Sequence, residues 1–245
     1  MSNRLVVLAH PDDEMLCLPF LLDQSAKSDQ IDYFLYLTFN SLPEIRKKEC
    51  ERAIKILDQE IRDSRLIKFE SVLRDGHGWE DIKICDLNDF FRLMELFDID
   101  SILTFAYEGG HQDHDLAHVV SKLLQTALSR EIVEFSGYRK HEIFPVFVVC
   151  KPALKLLKVN FRRGKALSLF LRLTATYKSQ LRVWFLLSPR ILVNLLFGAT
   201  YATQSRFSLS SSNGGLFLYE LRGKAQRKLV ESAMEKIVKD CSKGN

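Results

Sequence analysis

Short apolar runs alternate with amphipathic stretches along the first 150 residues. Residues 5–9 form an unbroken apolar run with two adjacent valines, which is typical of a strand that is buried on both faces of a parallel sheet. Similar apolar runs predict strands at residues 33–39, 66–69, 101–105 and 143–149.

Between these strands, apolar residues recur at helical spacing. This spacing predicts helices over residues 15–22, 87–97 and 111–125, and a charged amphipathic helix that opens at Pro43. Strands that alternate with helices are typical of α/β proteins. The pattern therefore predicts an α/β fold with a mostly parallel sheet and helices on both faces.

The pattern changes beyond residue 150. Helices are predicted over residues 166–187, 190–197 and 229–239, and the Ser- and Gly-rich segment 203–215 is predicted to be a loop or a pair of short strands. We therefore divide the chain into a core domain, residues 1–150, and a basic, mainly helical C-terminal part, residues 151–245, that caps the core. A helical cap belonging to the same domain would give the same pattern.

Charged residues are unevenly distributed along the chain. The 245 residues are 47% hydrophobic and 27% charged, which excludes a disordered or low-complexity chain, and the net charge is only +4. Residues 151–228 contain 15 Lys or Arg and a single acid, Glu220, whereas residues 1–150 contain 17 basic and 27 acidic residues. This asymmetry indicates either an anionic partner or membrane surface, or two parts that attract each other.

The cysteines and the apolar stretches indicate the compartment. The five cysteines are odd in number, widely spaced and without a C-x-x-C pair, which is typical of a reducing environment. No signal peptide is visible, and the most apolar stretch, residues 183–199, is interrupted by Pro189, Arg190 and Asn194. We expect a cytoplasmic protein, and peripheral contact with a membrane stays open.

Residues that can bind a metal are concentrated in two segments that follow predicted strands. In an open α/β sheet, ligands bind beyond the carboxyl ends of the strands, so these two segments are expected to converge. Either segment alone would also suit a polar turn before a helix; the two together favour a shared site. They are Ala9-His10-Pro11-Asp12-Asp13-Glu14 and Gly109-Gly110-His111-Gln112-Asp113-His114.

Three of these side chains form a predicted metal-ligand set. A hydrolytic metal site needs three protein ligands and an open position for water. His10 and Asp13 flank one turn, and His114 supplies the third ligand from the other segment. Two histidines and one carboxylate suit Zn²⁺ and also Fe²⁺. Asp12, between two ligands, is the expected general base for the metal-bound water.

The second segment supplies the remaining candidate catalytic residues. His111 is expected to face the substrate carbonyl as an imidazolium, where it would stabilise the oxyanion and protonate the leaving amine. Asp113 is expected to orient and charge His111. His118, one turn beyond His114, is expected to pack or to support the site rather than to bind the metal, and His77 is expected at the pocket rim.

Both segments resemble the motifs of the GlcNAc-phosphatidylinositol de-N-acetylase family, the PIG-L or LmbE-like deacetylases. The resemblance extends over roughly residues 5–138 and implies a Rossmann-like fold and a zinc-dependent amide hydrolase that removes acetyl groups from sugars of the N-acetylglucosamine type. It implies His10, Asp13 and His114 as zinc ligands, Asp12 as the base and His111 as the catalytic histidine.

Weaker matches to the family lie outside these segments. Arg46 and Glu49 match a helical R-x-x-E pattern whose arginine helps to hold the substrate, and Asp75-Gly76 resembles a D-G pair whose aspartate binds sugar hydroxyls; a solvated helix face and a turn are the alternatives. Residues 177–180 resemble a late Y-x-S-Q feature, which is expected to shape the pocket or the packing. The chain departs from the family at Gln112, where proline is usual, and this should alter loop rigidity more than ligation.

Three functions stay open on the sequence. The first is metal-dependent removal of an acetyl group from an N-acetylated sugar or amino-sugar conjugate, and the second is the same chemistry on a non-sugar amide. The third is a non-catalytic binding protein for an anionic glycan, lipid or nucleic acid. The complete set of candidate residues argues against the third function, so no nucleic-acid partner is expected.

The basic C-terminal part suits a substrate that carries a phosphate, such as a nucleotide-linked or lipid-linked sugar. Its interleaved apolar residues suit a membrane surface, an oligomer interface or the packed face of a helical cap. The candidate phosphate contacts are Arg162, Arg163, Lys165, Arg172, Lys178, Arg182 and Arg190.

Overall fold

The structure is a computed structural model that describes residues 2–23, 29–68, 73–107, 109–135, 155–197, 200–203 and 226–243. Its strands in these ranges are β1 (Ser2–Leu8), β2 (Gln30–Tyr36), β3 (Ser64–Ile67), β4 (Ser101–Phe105), β5 (Glu131–Phe135), β6 (Lys155–Lys158) and β7 (Thr200–Thr203). They form one sheet in the order β3-β2-β1-β4-β5-β7-β6. Strands β1 to β5 are parallel, and β7 is antiparallel to both β5 and β6.

The helices form two groups. Their bounds are α1 (Leu18–Leu21), α2 (Glu44–Glu60), α3 (Gly78–Asp81), α4 (Ile84–Leu96), α5 (Gln112–Leu128), α6 (Arg163–Thr176), α7 (Leu181–Phe197) and α8 (Arg227–Lys243). Helix α6 contacts α1, α2 and α7, whereas α8 contacts α3, α4 and α5. The predicted α/β fold with a mostly parallel sheet and helices on both faces is confirmed.

Strands β1 and β4 lie side by side in the centre of the sheet, with Val7 opposite Thr104. The apolar residues 5–9 are all buried, as the unbroken run predicts, and Ile102, Leu103 and Phe105 are buried beside them. Burial of this area is the main favourable contribution to folding. The two strands thus form a rigid base for the loops that follow them.

The described residues of the C-terminal part pack on this core. Strands β6 and β7 extend the edge of the sheet, α6 contacts α1 and α2, and α8 contacts α3, α4 and α5. The boundary near residue 150 lies within residues 136–154, outside the described residues, and stays a prediction. The strand predicted at 143–149 and most of the segment 203–215 also lie outside them.

One predicted helix is interrupted. The spacing predicts a continuous helix over residues 166–187, but α6 ends at Thr176 and α7 begins at Leu181, with a 3₁₀ turn over Lys178–Gln180 between them. Tyr177 leaves the helical conformation with φ −84° and ψ 61°. Its ring is fully buried and its hydroxyl donates to Glu14 at 2.6 Å, a charge-assisted bond that offsets the broken helix.

Helix α7 then runs through Pro189 and includes the separately predicted helix 190–197. Across the described residues, no helix combines the length and the apolar character that crossing a membrane requires.

Candidate active site

The two polar segments meet at the carboxyl edge of the sheet. The first follows β1 and the second follows β4, and these strands are neighbours whose connections leave in opposite directions along the sheet. Such a switch in strand order leaves a crevice between the two loops. The rings of His10 and His111 lie 4.9 Å apart, and those of His10 and His114 lie 5.5 Å apart. The predicted convergence is therefore present in the structure.

The first segment is a tight turn with a strained residue at its centre. Asp12 has φ 101°, a left-handed backbone conformation that non-glycine residues rarely adopt. The turn is held by a hydrogen bond from the Asp13 backbone N–H to the His10 carbonyl at 3.2 Å. The turn follows β1 directly, so it places Asp12 and Asp13 at the carboxyl edge of the sheet.

Asp13 connects the two segments. Its Oδ2 accepts the His10 backbone N–H at 2.8 Å and lies 3.4 Å from His10 Nδ1, and its Oδ1 lies 3.3 Å from His114 Nε2. Burial alone would raise the pKa of Asp13, but His114 and His10 lower it below its ordinary value. Asp13 is therefore an ionised carboxylate between two imidazoles.

The two imidazoles are themselves held in place. The His114 ring stacks on Phe105 with centroids 3.9 Å apart and planes 5° apart. His10 Nε2 lies 3.1 Å from Asp113 and 3.1 Å from Asp75. Burial opposes a charge on His10, but its hydrogen bonds with Asp113, Asp13 and Asp75 raise its pKa well above the ordinary value.

His111 differs from the expected imidazolium. Burial and the proximity of His10 and His114 lower the pKa of His111 to about 3, so its ring is neutral near pH 7. The residue caps the N-terminus of α5, where its Nδ1 accepts the Asp113 backbone N–H at 3.3 Å. A neutral ring that accepts at Nδ1 carries its proton on Nε2. His111 is thus a neutral hydrogen-bond donor, which suits the positive end of a helix dipole.

Asp113 acts on two histidines. Its charge opposes the lowering of the His111 pKa, as expected, but the hydrogen bond to His111 comes from its backbone N–H and not from its carboxylate. The carboxylate bonds His10 Nε2 and accepts the backbone N–H of Gly76 at 2.6 Å and of Gly78 at 3.2 Å. Asp113 therefore orients His10 and anchors the loop that carries Asp75.

Asp12 is buried between a cation and an indole. Its Oδ1 accepts from Arg46 at 3.2 Å, and its Oδ2 accepts from Trp184 Nε1 at 3.0 Å. Burial, with Asp13 and Glu14 nearby, raises the pKa of Asp12 to about 7 although Arg46 opposes the shift. A carboxylate with such a pKa suits proton transfer near neutral pH.

The two weaker candidates, Arg46 and Asp75, also lie at this site. Besides Asp12, Arg46 contacts the Pro11 carbonyl at 3.2 Å and Asp75 Oδ2 at 3.4 Å. The Asp75 side chain is 45% exposed, and its hydrogen bond with His10 lowers its pKa to about 2. Arg46 thus contacts two carboxylates, those of Asp12 and Asp75. Of these, Asp75 is ionised and partly exposed to solvent.

Glu14, for which the sequence predicts no role, supports the turn through its buried carboxylate. It accepts from Tyr36 at 2.8 Å, from Tyr177 at 2.6 Å and from the Asp12 backbone N–H at 3.0 Å. The Y-x-S-Q feature signalled Tyr177, which shapes the site by holding Glu14. Ser179 of the same feature donates to Glu49, its backbone N–H at 3.0 Å and its hydroxyl at 2.5 Å.

The two remaining histidines of this region are peripheral. His118 Nδ1 lies 2.9 Å from the Phe105 carbonyl oxygen, and the ring is buried under β4. His77 is exposed and lies 3.4 Å from Glu80. Their placement fits a packing role for His118 and a rim position for His77.

The donor set fits a divalent cation. Ligand atoms of His10, His111 and His114 all lie within 4.8 Å of one another, and the ionised Asp13 touches two of the three rings. Imidazole nitrogens and a carboxylate are ligands that Zn²⁺ and Fe²⁺ accept. A second group of converging ligand atoms, from His10, Asp75 and Asp113, shares His10 with the first.

Comparison with known proteins gives one family. Residues 5–124 match the sequence profile of the family described as PIG-L, GlcNAc-PI de-N-acetylase. No curated protein matches the chain.

Solved structures share the fold. The deacetylase of teicoplanin biosynthesis in complex with teicoplanin is 14% identical, with a TM-score of 0.61 over 82% of this chain and 97% of that one. The zinc-inhibited form of a teicoplanin deacetylase is 15% identical, with a TM-score of 0.55 over 82% and 97%. A conserved protein from Thermus thermophilus is 17% identical, with a TM-score of 0.55 over 87% and 100%.

Proposed function

We propose that this chain, whose residues 5–124 match the GlcNAc-PI de-N-acetylase (PIG-L) family, is a zinc-dependent hydrolase that removes the acetyl group from an N-acetylated sugar or amino-sugar conjugate. The observation that carries the proposal is the Asp13 carboxylate between His10 and His114, with the buried Asp12 beside it. This arrangement would combine a ligand set and a base at one sheet edge.

His10, Asp13 and His114 would hold the ion. When bound, Zn²⁺ would polarise the amide carbonyl and lower the pKa of a water molecule. Fe²⁺ fits the same three ligands.

Asp12 would move the proton. It accepts the proton of the attacking water and returns it to the leaving nitrogen, so that a C–O bond forms, the C–N bond breaks, and acetate and a free amine result. Arg46 and Trp184 fix its two oxygens, which limits the rotation of the carboxylate.

His111 would stabilise the oxyanion. The proton on Nε2 donates a hydrogen bond to the carbonyl oxygen as negative charge develops there. This assignment differs from the imidazolium expected from the sequence because the ring is neutral near pH 7. The return of the proton to the amine is therefore assigned to Asp12.

Asp75 would bind the sugar. Its ionised and half-exposed carboxylate can accept hydroxyl hydrogen bonds at the mouth of the site. Arg46 holds both Asp75 and Asp12, so it positions the sugar-binding group and the base relative to each other.

Acetate release from a panel of amides tests the proposal. The panel contains free, nucleotide-linked and lipid-linked N-acetylhexosamines and a non-sugar N-acetyl amide. We expect acetate and free amine in equal amounts from at least one sugar, and loss of release with a chelator. Zn²⁺ is restored from substoichiometric amounts upward, because a solved relative is described as a zinc-inhibited form, and Fe²⁺ is restored in parallel.

Two results would contradict this function. Release that is unchanged by complete metal removal would exclude the metal-dependent mechanism. Release from the non-sugar amide alone would favour the alternative, an amidase with the same chemistry.

Replacing Trp184 with Phe should lower kcat by about ten- to a hundredfold with little change in KM. The variant keeps a buried aromatic ring but removes the indole N–H that donates to Asp12, and a hydrogen bond to a charged group contributes about 1.5–3 kcal/mol. Steady-state kinetics on the best sugar substrate measure the effect.

Trp79→Phe is the matched control, because the buried Trp79 Nε1 has no hydrogen-bond partner within the described part of the chain. It should retain kcat. Equal kcat values for the two variants would show that the indole does not position Asp12.

A further inference from the structure

The surface formed by α6 and α7 is unusually apolar. A cavity of about 720 Å³ lies between the two helices, and Leu171, Leu181, Phe185 and Leu186 are among its lining residues. Phe185 is 80% exposed and Leu186 is 79% exposed. Of eight large apolar side chains that are exposed in the described part of the chain, five lie between residues 171 and 186. Single exposed apolar residues are normal, but a contiguous patch marks an interaction surface.

The same surface is basic without acidic neighbours in its own segment. Residues 155–197 contain nine Lys or Arg and no Asp or Glu. Lys165, Lys178 and Arg182 are exposed, and Arg182 lines the cavity itself. Arg172 pairs with Glu60 of α2. An occupant that is both apolar and anionic would therefore complement this surface.

We propose that the α6–α7 surface, defined by Leu171, Leu181, Phe185 and Leu186 with Lys178 and Arg182, docks on an anionic lipid bilayer. Phe185 and Leu186 insert below the headgroups, and the Lys and Arg side chains contact lipid phosphates. A symmetric contact with a second copy would place this basic surface against itself, where like charges repel.

Docking would hold the active site next to the bilayer. Trp184, on the inner face of α7, is buried and donates to Asp12, whereas Phe185 and Leu186 follow it directly on the outer face. The docking surface and the proposed base are thus separated by a single side chain of one helix. This proposal concerns binding and does not depend on the proposed hydrolase activity.

Vesicle co-sedimentation of the full chain tests the proposal. The probes are vesicles of phosphatidylcholine alone and of phosphatidylcholine mixed with phosphatidylglycerol, at low and at high salt. We expect binding to the mixed vesicles at low salt, much weaker binding to phosphatidylcholine alone, and loss of most binding at high salt.

The double variant Phe185→Ser/Leu186→Ser should weaken binding to the mixed vesicles by about tenfold or more, since both apolar anchors are removed. Leu96→Ser is the matched control, because Leu96 is 74% exposed on α4, in the other helix group. It should bind as the unchanged chain does. Acetate release from a soluble substrate should be the same in all three proteins, which separates a failure of docking from a failure of the proposed function.

Three results would overturn the proposal. The first is no binding to the mixed vesicles at low salt. The second is equal binding by the double variant and the Leu96→Ser control. The third is a dimer in light scattering that the double variant loses, without vesicle binding by the unchanged chain.

Discussion

Replacing Asp12 with Asn is expected to lower acetate release by about 10²- to 10⁴-fold while the metal stays bound, because the amide cannot accept a proton from water. Asn has nearly the same shape as Asp and tolerates the left-handed backbone that this position requires. Its oxygen can still accept from Arg46, whereas its NH₂ group cannot accept from Trp184. The variant therefore removes the proposed base and one hydrogen bond and should leave the turn intact.

The large effect expected at Asp12 follows from its environment. Asp12 is buried, and burial raises its pKa to about 7, the range in which a carboxylate can both take and return a proton. The neighbouring Asp13 is held ionised by two histidines and cannot serve as the base at the same time. Their different environments therefore suit two adjacent carboxylates to different proposed roles, Asp12 as the base and Asp13 as a metal ligand.

Metal content and turnover must be measured on the same Asp12→Asn preparation. Asp98→Asn is the matched control, because Asp98 also has a left-handed backbone, φ 45°, but lies exposed just before β4 at the opposite edge of the sheet. It should retain both metal and activity. An Asp12→Asn protein with bound metal and more than about a tenth of the normal rate would remove Asp12 from the mechanism.

The sequence predicts the centre of the fold better than its edge. Residues 5–9 and 101–105 are apolar because β1 and β4 are covered on both sides, and both strands are found where they are predicted. The short strands β5, β6 and β7 are not predicted, because none of them contains an apolar run longer than two residues: glutamates interrupt β5, lysines bound β6 and threonines bound β7. Their pairing is set by tertiary contacts with the rest of the sheet.

The candidate site is likewise predictable only in part from the sequence. The residues next to strands β1 and β4 can be predicted to converge, because the topology of a parallel sheet fixes where its loops lie. Trp184 and Tyr177 reach the first turn from more than 160 residues further along the chain. Their apolar spacing in the sequence predicts only that they pack in the core. The hydrogen bonds of the Trp184 indole with Asp12 and of the Tyr177 hydroxyl with Glu14 are visible only in the folded structure.

The hydrogen-bond partner of the Asp113 carboxylate cannot be predicted from sequence spacing. Its position two residues after His111 suggests a carboxylate–imidazole contact, but the helix that begins at Gln112 turns the backbone N–H toward that ring instead. The carboxylate then reaches His10 in the other segment. Spacing along a helix terminus predicts proximity, whereas the direction of each group depends on the cap.

Replacing Asp13 with Asn should abolish both metal binding and acetate release. The amide oxygen can still accept the His10 backbone N–H, so the turn should form. The negative charge between His10 and His114 is lost, and an amide is a poorer ligand than a carboxylate. Loss of supporting groups around metal sites lowers affinity by about 10- to 100-fold, so loss of a ligand should exceed that range.

Two measurements besides activity check this expectation. Metal analysis should find the ion in the unchanged chain and in Asp12→Asn but not in Asp13→Asn. At Zn²⁺ concentrations a thousandfold above Kd, binding should stabilise the unchanged chain by about 4 kcal/mol, or roughly 10 °C in Tm, and should leave Asp13→Asn unaffected.

The pair of variants separates two ligand sets. If Asp13→Asn binds Zn²⁺ with normal stoichiometry and affinity, Asp13 is not a ligand, and the three converging imidazoles of His10, His111 and His114 become the site. His111 could then no longer donate to the oxyanion, because its Nδ1 already accepts the Asp113 backbone N–H and its Nε2 would face the ion. The metal content of Asp13→Asn therefore decides the role of His111 as well as that of Asp13.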